Sequence, residues 1–127
     1  MTYPEHVHAQ QHLLADVAAR IAAGTGDPAE LHAAFLIARV YCEGGEAVGF
    51  RALGSPGAGV IPVYTSVEQL SLARGTVPWF ATTGRDLLDL LPPGYDVLLD
   101  PAGLAPLRLR PSVLSSRIVV DVQSGAA

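Results

Sequence analysis

Apolar positions along the chain change their spacing several times, and each change marks an element. From Tyr3 to Ala23 the residues Val7, Leu14, Val17, Ala18 and Ile21 recur at helical spacing, with Gln10, Gln11, Asp16 and Arg20 on a wetter face. Thr2 and Glu5 have capping-box spacing, Pro4 suits a first turn, and Gly24 ends the helix. After the TGDP loop, Asp27, Pro28 and Glu30 predict a second, short helix start. The run FLIARVYC predicts a strand over Phe35–Cys42. Gly44-Gly45 then signals a hairpin into a strand from Val48 to Leu53.

GSPGAG is a turn. Val60–Thr65 follows as a strand in which Pro62 predicts an edge or a bulge. Ser66 with Gln69, or Thr65 with Glu68, caps a helix running to Arg74, which Gly75 ends. Val77–Thr82 reads as a strand. Thr83 caps a helix over Arg85–Leu91, stopped by Pro92-Pro93-Gly94. Tyr95–Leu99, Leu107–Leu109 and Arg117–Val122 complete the strands, DPAG is a turn, and Ser112–Ser116 fits no single element. The expectation is one domain over 1–127, with an N-terminal helix at 3–23 and a core at about 28–123. Its class is α/β (α+β): one mixed, largely antiparallel sheet with the N-terminal helix and several short helices packed on it.

Composition narrows the function. Half of the 127 residues are hydrophobic and 16% are charged, which suits a large core rather than disorder. All eight basic residues are Arg and the net charge is −4. An acidic chain without Lys lacks the basic footprint that phosphate backbones and anionic membranes require, so neither nucleic acid nor membrane is an expected partner. The segment MTYPEHVHAQQ has no signal-peptide pattern and no apolar run approaches ~20 residues. A cytoplasmic protein without membrane insertion is expected.

Candidate chemistry is thin. His8 and His12 share a helix face and His6 is near, but no HExxH motif or third ligand beyond His32 accompanies them, so a solvated face is favoured and no metal is expected. Asp86 and Asp89 suit a solvated helix face better than acid–base work. Cys42 is the single cysteine, on an apolar run, and reads as a buried inert thiol. Gly54, Gly57 and Gly59 form no phosphate loop, because no Gly-Lys-Ser/Thr enters a helix. No GxSxG elbow occurs. No catalytic residue and no cofactor are expected. Phe80 reads as core, while for Tyr64 and Trp79 both core and interface stand.

Three segments carry a family likeness: VIPVYTSVEQL (Val60–Leu70), GRDLLDLLPPGYDVLLDPAG (Gly84–Gly103) and PLRL (Pro106–Leu109). In that order they make Ala34–Leu109 resemble the SseB N-terminal domain, the bacterial "enhanced serine sensitivity"-type family. Family members often have Asn where Asp100 stands, and some carry a second domain. The resemblance implies no enzymatic activity and an accessory role near bacterial secretion systems, including type VII loci.

The expected function is therefore a non-catalytic protein-interaction module, binding a protein partner or itself. Its expected surface is built on Tyr64, Thr65 and Ser66, the loop to Trp79, and the turn at Asp100. The alternative is an anion-binding domain, or an enzyme, whose site forms only when Thr65, Ser66, Arg85 and Asp100 converge. A protein that simply blocks one partner fits the same sequence.

Overall fold

The structure is a computed structural model that describes residues 5–44, 51–110 and 119–121, with side chains described for 13–44 and 51–110. Helix α1 (Glu5–Ala22) buries Leu14, Val17, Ala18 and Ile21, the stripe expected from their spacing. Gly24 (φ 83) turns the chain, and an ion pair from Arg20 to Glu30 ties α1 to α2 (Pro28–Ile37). Asp27 caps α2 by accepting from the Ala29 N–H at 3.0 Å. The cap expected at Thr2 and the stretch Ser112–Ser116 lie outside the described residues.

One boundary differs from expectation. Phe35, Leu36 and Ile37 belong to α2, and the strand β1 covers only Arg39–Glu43. Leu31, Ala34, Phe35 and Ala38 recur at i, i+3, i+4 and i+7, so the apolar run first completes a helix face. Only from Arg39 does burial alternate residue by residue.

The other elements are β2 (Gly59–Val63), α3 (Val67–Arg74), β3 (Trp79–Thr83), α4 (Gly84–Leu90), β4 (Tyr95–Leu99), β5 (Leu107–Arg110) and β6 (Val119–Asp121). The fold is α+β. In place of one continuous sheet the described residues form two: β1 with β3, and β2-β4-β5-β6. They meet where Tyr41 and Tyr64 exchange N–H···O=C bonds of 2.9 and 2.8 Å. Every pairing among the described strands is antiparallel except β2 with β4. Among the described residues the ladder partner of β1 is thus β3, distant in sequence. Of the segment after Gly44, Leu53 bridges Val60 and residues 45–50 lie outside the described residues.

Pro62 sits on the edge of the four-stranded sheet, as expected. Val60 and Tyr64 turn their backbone groups away from β4, toward Leu53 and Tyr41. Pro62 has the same parity, so its missing N–H removes no bond from the β2–β4 ladder.

The core lies on one face of these strands. Val40, Cys42, Ile61, Val63, Val97, Leu99, Leu107 and Leu109 meet Leu14, Val17, Leu31, Phe35 and Leu87 from α1, α2 and α4. The approach of α4 to α2 is close. A Cβ on Gly84 would stand 1.8 Å from the Phe35 carbonyl oxygen, and the Gly84 N–H donates to the Ala38 carbonyl at 3.0 Å. Tyr64 and Leu70 are buried apart from this cluster. Tyr64 shares the face of its bridge partner Tyr41, opposite to Val40 and Cys42, and this is the face nearest α3.

Candidate functional site

Two neighbourhoods collect the residues singled out in the sequence. The first lies at the carboxyl ends of β2 and β4, the only parallel pair among the described strands, where α/β folds commonly place ligands. Asp100 leaves β4 with its N–H on the Val63 carbonyl (2.9 Å) and then adopts φ 47, a left-handed conformation that Asp tolerates better than most residues. The turn closes when the Gly103 N–H donates to the Asp100 carbonyl at 2.9 Å. The Asp100 side chain points back to β2, where Oδ1 accepts from the Thr65 N–H and Oδ2 from the Thr65 hydroxyl, both at 2.8 Å. Burial raises the Asp100 pKa, and the two Thr65 bonds pull it partly back.

Ser66, next in the chain, caps α3 by accepting from the Gln69 N–H at 3.1 Å. This settles the cap on Ser66 rather than Thr65. Thr65 is only 5% exposed and its hydroxyl serves Asp100. The Gln69 Oε1 beside Gly103 is buried and has no hydrogen-bond partner among the described residues. Sequence reasoning passed over Gln69 except as a cap.

Thr65, Ser66 and Asp100 therefore come together, and Arg85 does not join them. It is exposed in the first turn of α4, which packs on α2 and β3, and makes no ion pair among the described residues. What stands before α3 is a carboxylate, which repels an incoming anion. The arrangement is a clasp joining β2 to β4.

The second neighbourhood is aromatic. Trp79 begins β3 and is 46% exposed. Its ring meets Tyr41 edge to face, with centroids 5.5 Å apart and planes at 71°. The Arg39 guanidinium stands 6.0 Å from the centre of the Tyr41 ring. Glu43, on the same face of β1, accepts from Arg74 Nε at 2.7 Å and lies 3.5 Å from Arg51 Nε, tying the platform to α3. For Tyr64 the sequence leaves both core and interface open. It is 1% exposed, and burial and Glu43 raise its pKa. Its side chain is covered, so Tyr41 rather than Tyr64 joins Trp79 at the surface. The signal was present in the alternation Arg39-Tyr41-Glu43 against Val40-Cys42, which was hidden inside one apolar run.

The remaining candidates fall elsewhere. Cys42 is buried in the core and burial pushes its thiol up to about 12. Gly54 and Gly57, with positive φ, turn the chain into β2, and the Gly57 N–H donates to the Gly94 carbonyl at 2.7 Å. An open cleft of about 460 Å³ beside them is lined by Leu88, Leu91, Pro92, Pro93 and Tyr95, with Asp96 paired to Arg108 at 2.8 Å. The side chains of His6, His8 and His12 lie outside the described ones. Among the described residues no three potential ligands gather for a metal ion, and no helix is long and apolar enough to cross a membrane.

The family model for the SseB protein N-terminal domain matches residues 6–116. The chain belongs to the SseB N-terminal domain family. No curated protein and no solved structure matches it. The matched span takes in the Thr65–Asp100 clasp and the Trp79 platform, so both are parts of the SseB domain.

Proposed function

We propose that this SseB domain is a non-catalytic protein-interaction module that engages its partner through the platform of Trp79, Tyr41 and Arg39. The observation that carries this reading is the exposure of Trp79 on a well-braced strand pair. Burying an indole contributes more than burying almost any other side chain, yet this one is left at 46% exposure beside a Tyr and an Arg. Trp, Tyr and Arg are the residues that dominate interface energetics. The bridge between Tyr41 and Tyr64 fixes the platform in advance, which lowers the ordering penalty on binding.

Two side chains that could suit chemistry are engaged otherwise. Asp100 holds Thr65 with both oxygens, and the Cys42 thiol is buried in the core. The finer proposal is an accessory role in the bacterial cytoplasm, in association with a secretion system, with a secreted protein or its regulator as partner. The test is affinity capture from native extract with the unaltered chain and with Trp79→Ala. The reading expects one protein recovered in near-stoichiometric yield by the former and lost with the latter. Equal capture by both, or none by either, would count against it.

A further inference from the structure

The β1–β3 ladder fixes where every backbone group of β3 points. Tyr41 uses its N–H and C=O on Tyr64, so Val40 and Cys42 are the β1 residues that face β3. The Gly44 N–H on the Pro78 carbonyl and the Gly84 N–H on the Ala38 carbonyl continue that parity at both ends. Phe80 and Thr82 therefore face β1. Trp79, Ala81 and Thr83 turn their N–H groups outward, and the Trp79 and Ala81 carbonyls go with them. Among the described residues nothing receives the Trp79 and Ala81 groups. Strand edges that stay free are usually blunted by a charge, a proline or a bulge. The strand Trp79–Thr83 (WFATT) contains no charge and no proline and pairs without a bulge.

We propose that this edge pairs with the same edge of a second copy of the chain, antiparallel, about a two-fold axis through Ala81. The proposal rests on the interaction-module reading and names the partner of the edge beside the platform. The register is self-complementary. Ala81 faces Ala81, and the bulky Trp79 faces the smaller Thr83. Each Ala81 exchanges an N–H···O=C pair with its mate, and each Thr83 N–H reaches the mate's Trp79 carbonyl. Charges are also complementary. Arg39 lies beside Thr83, and Glu43, itself held by Arg74, lies beside Trp79. The two outer rows across the new ladder therefore run from a cation on one copy to an anion on the other, while the central row runs from Tyr41 to Tyr41. A two-fold pairing uses both edges up and stops at a dimer. It sets two Trp79–Tyr41 units side by side on one face.

Ala81→Cys in the full chain tests the register. Hydrogen-bonded antiparallel partners have Cα atoms about 5.5 Å apart, inside the range a disulfide spans. Cys42 is buried and does not interfere. Under mild oxidation Ala81→Cys should form a disulfide-linked dimer at least tenfold faster than Thr82→Cys, whose side chain is on the other face. The unaltered chain should sediment as a dimer in the micromolar range. Ala81→Pro, which removes only an outward N–H, should weaken that dimer at least tenfold with an unchanged circular dichroism spectrum. Should Ala81→Pro fail to fold, the two cysteine variants still decide. A monomer from micromolar to millimolar concentration, or equally slow cross-linking at both positions, would overturn the proposal. Such a monomer that still loses its captured protein on Trp79→Ala would leave the interaction reading standing. A dimer cross-linked at position 81 whose captured proteins ignore Trp79→Ala would support the pairing and sink that reading.

Discussion

Replacing Asp100 with Ala removes both acceptors of the clasp while leaving its donors in place. The Thr65 N–H and hydroxyl each lose a 2.8 Å bond to a charged oxygen, in a position that is 5% exposed. Hydrogen bonds to charged groups are worth about 1.5–3 kcal/mol each, and a buried donor left alone costs about 1–3 kcal/mol. Ala at φ 47 adds about 1 kcal/mol of backbone strain that Asp tolerates. Removing the desolvated carboxylate offsets part of this, since burial already disfavours its charge. The net expectation is a loss of about 2–4 kcal/mol, or about 8–16 °C in melting temperature for a domain of this size. Asp100→Asn behaves differently. Its carbonyl still accepts from the Thr65 N–H, its amide can donate to the Thr65 oxygen, and Asn also tolerates the left-handed conformation, so the loss at pH 7 is within about 1 kcal/mol. The two variants also separate by pH. In the folded chain Asp100 keeps its proton to a higher pH than it does unfolded. Folding therefore takes up a proton just above the ordinary aspartate value of about 3.9. The contribution of this group to stability is greatest below that window and falls as pH rises through it. Asp100→Asn should lack that fall. Thermal unfolding followed by circular dichroism between pH 3.5 and about pH 7 measures all three proteins. An Ala variant within two degrees or so of the unaltered chain, or an Asn variant as weakened as Ala, would refute the clasp.

Gly84→Ala should destabilise by about 2–4 kcal/mol in urea unfolding, because its Cβ would meet the Phe35 carbonyl at 1.8 Å and α4 must move off α2. Ser66→Ala should lower stability by about 1 kcal/mol through loss of the α3 cap, read as a shift in the urea midpoint without a change in slope. Cys42 should resist a thiol reagent in the folded chain and react at once in denaturant. With its thiol pushed up to about 12, only about one in ten thousand is ionised at pH 8. Trp79→Ala should change stability by less than about 1 kcal/mol, since the indole is nearly half in water.

Local chemistry was the legible part of this fold. The α1 stripe, the caps at Asp27, Ser66 and Thr83, and the breaks at Gly24, Gly75 and Pro92 each depend on a few neighbouring residues, and the structure has them where the pattern put them. Pairing was not legible, because it depends on residues far apart. Nothing near Gly44 announces that β1 will take β3 as its ladder partner, or that the sheets meet through Tyr41 and Tyr64. The run FLIARVYC hid a change of period from helix to strand, since Ala38 fits both.

The site was half visible for the same reason. Thr65, Ser66 and Asp100 lie beside turn signals and do come together. Arg85 shared a helix start with them in character but sits on another element. Tyr64 and Trp79 could not be ranked before the register was known. Once Tyr64 bridges Tyr41 on the face nearest α3 it is covered, and Trp79, two positions out on an edge strand, is left in water.

Trp79 is the one tryptophan in the chain, so 5-hydroxytryptophan incorporated in its place, excited where the tryptophans of a captured protein do not absorb, reports on the proposed surface alone. Acrylamide quenching should be compared between the free domain and the purified complex with its captured protein. The account predicts quenching that falls severalfold in the complex. An indole as open to quencher in the complex as in the free chain would contradict it.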